Sequence, residues 1–186
     1  ITYLANDTFD GPFGKEIYPM GGTDFQEGEV YLLNLHSMIG YFEGMKENAY
    51  KLSIHSPKEL EAFTSLPINS TNDSLDVFAA KRYFHIIDNP ILYSKPNAVS
   101  FDLDEIKVGL AIYSPTDTHR AKTYQPAIEE MMKAQKAFLG DANDTPSYDI
   151  LLHLMDMDAL QYFGGMMGAL EHHTSCLLYT SPSPRD

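Results

Sequence analysis

The chain contains the stretch Gly164-Gly165-Met166-Met167-Gly168-Ala169-Leu170-Glu171-His172-His173-Thr174-Ser175, which places one carboxylate after a run of small residues. Glycines in an extended segment let another backbone approach closely, and the open edge of a strand still offers its N–H and C=O groups. Such an edge can hold a peptide. We expect Glu171 to form an ion pair with the free α-ammonium of that peptide, an attraction that strengthens as water is excluded. The alternative is a buried strand with a solvated glutamate.

The composition predicts a folded, acidic protein. Of its 186 residues, 44% are hydrophobic, which is enough for the core of one domain or of two partial domains. No run approaches the roughly 18 consecutive apolar residues of a membrane helix, so we expect no membrane span. Thirteen basic against 26 acidic residues give a formal charge of −13, which repels phosphate. The charge therefore argues against nucleic acid and anionic membranes as partners and permits a peptide amine.

Both ends of the chain have the features of truncation. Residues 176–186 are similar to the translation of a transposase sequencing adaptor, and we exclude them from the predicted fold and function. This segment holds the only cysteine, so no disulfide or Cys-ligated metal site is predicted. The chain begins at Ile1 without a methionine, so a periplasmic or secreted location stays open. The sequence assigns neither host nor oligomeric state.

The first half of the chain is typical of β-structure. Short apolar runs, of which residues 30–35 are the clearest, lie between turn-forming residues. Tyr50, Leu52 and Ile54 alternate with polar residues, the period of a half-buried strand. We therefore predict a β-sandwich-like module over residues 1–89.

Local signals predict the remaining elements of this half. Ser56 followed by Pro57 suits the start of a short helix, and residues 68–73 are polar enough for a loop. A helical turn over residues 83–88 must end before Pro90, because a residue that precedes proline is pushed out of helical geometry. We place the domain boundary after residue 89.

The second half, residues 90–175, mixes strands with one long helix. Residues 99–103 and 106–113 predict a hairpin, and residues 148–154 predict a further strand before the segment of Glu171. Residues 125–139 carry apolar side chains at helical spacing. The predicted fold class is α+β.

Several landmarks occur in one order along residues 4–175. They are Asp10-Gly11-Pro12-Phe13, Leu33-Asn34-Leu35-His36-Ser37-Met38-Ile39-Gly40-Tyr41, Asp88-Asn89-Pro90-Ile91, Val108-Gly109-Leu110-Ala111-Ile112-Tyr113-Ser114-Pro115 and Gly168-Ala169-Leu170-Glu171-His172. With these landmarks the chain resembles the glycyl aminopeptidase family of zinc metallopeptidases, peptidase family sixty-one. The resemblance implies an N-terminal β-domain followed by the opening sheet and helix of a truncated, thermolysin-like catalytic domain.

The resemblance also implies a substrate-binding segment. In related aminopeptidases a Gly-x-Met-Glu-Asn segment lies along the active-site cleft, and its glutamate meets the substrate amine. Glu171 matches that glutamate, while Leu170 and His172 depart from the Met and the Asn. Gly168, Ala169, Leu170, Glu171 and His172 are the substrate-binding residues that the resemblance implies, and the partner is a peptide.

Zinc is the cofactor that the resemblance implies for the complete enzyme. Such enzymes need His-Glu-x-x-His on one helix face, and this sequence is absent from the chain. None of the seven histidines lies four residues from another, so we predict neither a metal ligand nor a catalytic residue here. The expected function is that of an inactive fragment of an aminopeptidase that releases small N-terminal residues, glycine favoured. The alternative is a non-catalytic, β-rich module that binds peptide or glycan.

Overall fold

The computed structural model describes residues 1–7, 22–57, 59–72, 74–140, 145–155 and 168–180. The chain divides into two compact units, Ile1–Pro96 and Asn97–Asp186. The sequence predicts a boundary after Asn89, but β7 (Ile91–Ser94) pairs with strands of the first unit, so the division falls later. The elements of the first unit are β1 (Asp24–Gln26), β2 (Val30–Leu33), a 3-10 helix (Leu35–Ser37), β3 (Tyr50–Ile54), β4 (Glu61–Phe63), β5 (Ile68–Asn72), β6 (Leu75–Ala80), α1 (Tyr83–Ile87) and β7.

The first unit contains two antiparallel sheets. One has four strands in the order β1-β2-β7-β4, and the other has three in the order β3-β6-β5. Leu33 of β2, Tyr93 of β7 and Phe78 of β6 belong to one buried cluster, so the two sheets share a core, as in a sandwich. The predicted alternation of Tyr50–Ile54 is confirmed, because its residues are half-buried and exposed in turn.

Two local predictions for the first unit are wrong. No helix begins at Pro57 in the described part of this region; Glu59 has a left-handed backbone (φ 71°), which cannot continue a helix, and the chain enters β4. The polar loop predicted for residues 68–73 is instead the edge strand β5, whose residues are all exposed. A strand that buries no side chain is held by its backbone pairing and leaves no hydrophobic period in the sequence.

A buried polar cluster ties β6 to β7 and β5. The Tyr93 hydroxyl donates a hydrogen bond to Asp76 Oδ2 at 2.8 Å, and the Thr71 hydroxyl donates to Asp76 Oδ1. Asp76 and Tyr93 are both buried. Burial, followed by the bond to Asp76, raises the pKa of Tyr93 well above its ordinary range.

This raised pKa predicts a loss of stability in alkali. The folded unit stabilises the neutral phenol, so the contribution of Tyr93 is complete below the ordinary tyrosine pKa of about 10 and is lost as the pH rises beyond it. We expect Tyr93→Phe to lower the free energy of unfolding at pH 7 by about 1–3 kcal/mol and to flatten its alkaline decline. Urea denaturation followed by circular dichroism measures both, with Tyr31→Phe, opposite Tyr93 on β2 but half-buried, as control. An alkaline decline equal to that of the wild type would contradict the assignment.

The second unit is a mixed sheet with a helix on one face. Its elements are β8 (Ala98–Leu103), β9 (Ile106–Tyr113), α2 (Ala121–Leu139), β10 (Ser147–Leu154), β11 (Gly168–Glu171) and β12 (Ser175–Thr180). The strand order is β11-β12-β10-β9-β8; β12, β10 and β9 are parallel, and the two outer strands are antiparallel to their neighbours. The predicted hairpin and the α+β class are confirmed.

Helix α2 packs on the face of the sheet that carries Leu110 and Ile150. These two residues share a cluster with Ala121 at the start of the helix, and Ile128 and Met132 of the helix pack against it. The helix begins four residues before the predicted Gln125. Its first turn is fixed by a residue far away in sequence, so the local pattern does not reveal it.

Asn97 is the distant residue that fixes the first turn of α2. Its Oδ1 accepts the Ala121 N–H at 2.9 Å, and its Nδ2 donates to the carbonyls of Ile112 at 2.9 Å and His119 at 2.8 Å. The side chain therefore joins β9 to the start of α2 and satisfies one of the free N–H groups of the first helical turn.

Asn97→Ala is expected to destabilise the second unit by about 2–3 kcal/mol, because three partly buried partners lose their bonds together. Asn97→Asp keeps the acceptor for Ala121 but places a carboxylate oxygen against the carbonyls of Ile112 and His119, so it should destabilise the unit at least as much as Asn97→Ala. Urea denaturation measures this order. A wild-type stability for Asn97→Ala would show that water replaces the side chain at no cost.

The segment that resembles an adaptor is not outside the fold. The sequence predicts no structure for residues 176–186, but Ser175–Thr180 form β12, which lies between β10 and β11. Leu177 and Tyr179 are fully buried in it. A parallel strand inside a sheet needs an almost continuous apolar run, and Cys176-Leu177-Leu178-Tyr179 supplies one whatever its origin. Residues 181–186 lie outside the described part of the chain.

Neither α1 nor α2, the helices in the described residues, combines the length and the apolar character needed to cross a membrane.

Candidate functional site

β11 forms one margin of the five-stranded sheet. Its four residues pair with β12 alone: Gly168 lies opposite Tyr179, Leu170 opposite Leu177, and Glu171 opposite Cys176. Within the described residues no strand pairs with its other side. Gly164 to Met167 of the predicted stretch fall outside the part of the chain that the structure describes. The geometry of β11 is that of a strand to which an extended peptide can add.

A tight turn fixes the position of Glu171 at the end of this strand. The His172 N–H donates to the Ser175 carbonyl at 2.8 Å, which closes the connection between β11 and β12. The Asp149 N–H donates to the Thr174 carbonyl at 3.0 Å, which attaches the turn to β10. The backbone that carries Glu171 is therefore held from two sides.

The Glu171 side chain lies on the face of the sheet that α2 covers. Glu171 is opposite Cys176, and Cys176 is opposite Ile150, so all three share one row on one face. The hydroxyl of Tyr148, two residues before Ile150, donates a hydrogen bond to Glu171 Oε1. Glu171 itself is exposed.

An open cleft of about 550 Å³ runs between α2 and the sheet and reaches Glu171. Most of its lining is apolar, including Ile106, Ile128, Met132 and Leu178, and Lys136 of α2 also lines it. A carboxylate bordered by apolar surface attracts a cation more strongly than one in open water, because the effective dielectric constant is lower.

Glu171 has two protonated neighbours at neutral pH. Burial raises the pKa of Tyr148 above its ordinary range, and the Glu171 carboxylate raises it further. Burial also raises the pKa of Cys176 to about 12, again with a contribution from Glu171. Both groups are therefore neutral donors beside the Glu171 carboxylate.

The five predicted site residues do not form one surface. Ala169 and Glu171 lie on the α2 face, whereas Gly168 and Leu170 point to the opposite face because side chains alternate along a strand. His172 is half-buried in the turn. A ligand could therefore contact two features: the backbone edge of β11 that no described strand pairs with, and the carboxylate of Glu171.

Tyr148 is the site residue that the sequence does not predict. It stands 23 positions before Glu171, and the bond between them depends on β12 lying between their strands. Period-two alternation places Tyr148 on the same face as Ile150, but no local pattern shows which residue meets it.

The side chains that the structure describes form no zinc site. Among the described residues, no three His, Cys, Asp or Glu side chains come together as metal ligands. His153 is fully buried, with its ring 5.2 Å from that of Tyr113 and 5.9 Å from that of Tyr179 between centroids. Its surroundings are those of a core histidine.

Comparison with known proteins gives a family and a fold. The family model described as the peptidase M61 N-terminal domain matches residues 2–95. A crystal structure of an aminopeptidase N family protein from Idiomarina loihiensis matches 86% of the chain with 22% identity and a TM-score of 0.71, and this likeness shows the fold. The chain spans 26% of that protein.

Two further structures are less similar. Yeast LTA4 hydrolase matches 82% of the chain and 23% of its own length, with 16% identity and a TM-score of 0.47. An M1 zinc metallopeptidase from Deinococcus radiodurans matches 83% of the chain and 37% of its own length, with 9% identity and a TM-score of 0.47. No curated protein matches the sequence significantly. Because the M61 family model covers half of the chain, the chain belongs to the peptidase M61 N-terminal domain family.

Proposed function

We propose that the complete protein is a zinc-dependent aminopeptidase that releases small N-terminal residues, glycine foremost, from peptides, and that this chain carries its substrate-binding edge. One observation carries the proposal: Glu171 is exposed at the end of β11, whose other edge is unpaired within the described residues, and it borders a cleft. Membership of the M61 family and the fold shared with an aminopeptidase N family protein support it.

The edge and the carboxylate would act together on one substrate. The backbone of β11 pairs with the first residues of the peptide, and Glu171 accepts hydrogen bonds from the α-ammonium, so that a free N-terminus is recognised. A blocked N-terminus lacks this charge. Glu171 positions the substrate and breaks no bond.

The resemblance implies that the zinc ligands of such an enzyme follow the edge strand. On this proposal residues 1–96 belong to the N-terminal β-domain, and the second unit opens the catalytic domain. The chain alone would then bind the N-terminus of a peptide without hydrolysing it.

The same observation favours a second candidate, a peptide-binding module without catalysis. The edge of β11 and the charge of Glu171 are complete in this chain and require no metal. A module of this kind would use both for binding alone.

The uninterrupted reading frame beyond Ser175 separates the two candidates. We expect it to contain His-Glu-x-x-His within several tens of residues, and the complete protein to hydrolyse glycyl substrates in a chelator-sensitive reaction. A full frame without these ligands, or a protein that binds glycyl peptides and never cleaves them, would favour the binding module.

A further inference from the structure

Tyr148 and Glu171 meet across an intervening strand. Tyr148 is the second residue of β10 and Glu171 the last residue of β11, with β12 between them. Two interstrand spacings amount to about 10 Å, a gap that two short side chains do not close. The phenol ring reaches over β12 and places its hydroxyl on Glu171 Oε1.

In the hydrogen bond between Tyr148 and Glu171, Tyr148 is the donor. Because burial and the neighbouring carboxylate raise its pKa, the Tyr148 hydroxyl stays protonated and donates, and an ionised carboxylate can only accept. An ionised carboxylate has about four lone-pair sites, so the bonds from Tyr148 and from the Cys176 thiol leave room for another donor. An α-ammonium with three N–H groups is a donor of this kind.

The backbone on either side limits the remaining freedom of Glu171. The bond from His172 N–H to Ser175 O fixes the turn, and the pairing with Cys176 fixes the strand. The side-chain torsions remain, and these are what the Tyr148 bond restricts. A carboxylate ordered before the ligand arrives loses less conformational freedom on binding.

We propose that Tyr148 is a positioning residue of the amine site: its hydroxyl orients the Glu171 carboxylate by holding Oε1, and the remaining lone pairs of the carboxylate accept the α-ammonium of the peptide. This inference rests on the proposed function, since it assigns Tyr148 a task only if Glu171 binds an amine. Tyr148 acts through Glu171 and need not touch the peptide.

The test uses the full 186-residue chain and glycinamide, which has a free α-ammonium and no carboxylate. Nuclear magnetic resonance follows the Glu171 side-chain methylene signals and, in the same samples, the dissociation constant of glycinamide. The variants are Tyr148→Phe, Glu171→Gln and a matched control, Tyr124→Phe, which removes the hydroxyl that pairs with His119 in the same unit. Circular dichroism checks that each variant is folded.

We expect the wild type to show two distinct Glu171 Hγ signals and nuclear Overhauser contacts to the Tyr148 ring. In Tyr148→Phe these signals should merge as the side chain becomes mobile, and glycinamide should bind about tenfold more weakly, because binding must then order the Glu171 side chain. Tyr124→Phe should leave both readouts unchanged, and Glu171→Gln should abolish binding.

The remaining outcomes distinguish the role of Tyr148 from the amine binding by Glu171 on which it rests. Binding that is lost in Glu171→Gln but unchanged in Tyr148→Phe would overturn the role of Tyr148 and leave the amine site standing. A wild type that does not bind glycinamide, or a Glu171→Gln variant that binds it equally well, would overturn the amine site and the inference with it.

Discussion

Glu171→Gln in the complete enzyme is expected to lower kcat/KM for glycyl substrates by about 100-fold. The substitution keeps the size of the side chain but removes the negative charge that, on the proposed function, meets the α-ammonium. A hydrogen bond between charged groups contributes about 1.5–3 kcal/mol, and each 1.36 kcal/mol of transition-state stabilisation is a tenfold change in rate. Steady-state kinetics measures the loss, with circular dichroism to show that the fold is intact.

Two controls test whether the loss of kcat/KM in Glu171→Gln depends on the amine of the substrate. Glu105→Gln removes an equally exposed carboxylate at the turn between β8 and β9 and should leave kcat/KM unchanged. An N-acetylated glycyl substrate has no ammonium, so the wild type and Glu171→Gln should process it at the same low rate. Unchanged kinetics of Glu171→Gln on the free-amine substrate would remove the role assigned to Glu171.

Truncation after Ser175 is expected to destabilise the second unit by roughly 3–6 kcal/mol and to release β11 from the sheet. It deletes the fully buried side chains of Leu177 and Tyr179, each of which contributes about 1.5–3 kcal/mol through burial. Since a domain is stable by only about 5–15 kcal/mol, the unit should be close to unfolding. β11 loses all four of its pairings, because β12 supplies them.

Hydrogen exchange measured by mass spectrometry reports this effect by segment. The amides of residues 168–171 that bond to β12 should exchange freely in the chain cut after Ser175, and they should stay protected in a control cut after Thr180, which retains all of β12. Equal protection in the two chains would show that β12 does not hold the edge strand.

Elements that bury one face can be predicted from the sequence, and elements held by remote contacts cannot. The hairpin of β8 and β9 and most of α2 follow from the spacing of apolar residues such as Val108, Leu110 and Ile128. β5 has no buried side chain to mark it, and the first turn of α2 depends on Asn97. The resemblance of residues 176–186 to an adaptor leaves β12 out of the predicted fold, although its residues favour a buried strand.

The candidate site likewise has a part that the sequence predicts and a part that depends on remote contacts. The glycine-rich approach to Glu171 predicts an extended, accessible segment, and its charge predicts a cationic ligand. The choice of Tyr148 as hydrogen-bond partner depends on the order of three strands, β10, β12 and β11. No local pattern contains that order, because parallel neighbours can be far apart in sequence.

The most direct test is a crystal structure of the complete enzyme with glycinamide bound. The account predicts the ammonium nitrogen about 2.8 Å from Glu171 Oε2, the Tyr148 hydroxyl still on Oε1, and the ligand backbone beside β11. An ammonium bound by another carboxylate, with Glu171 directed away from the ligand, would contradict it.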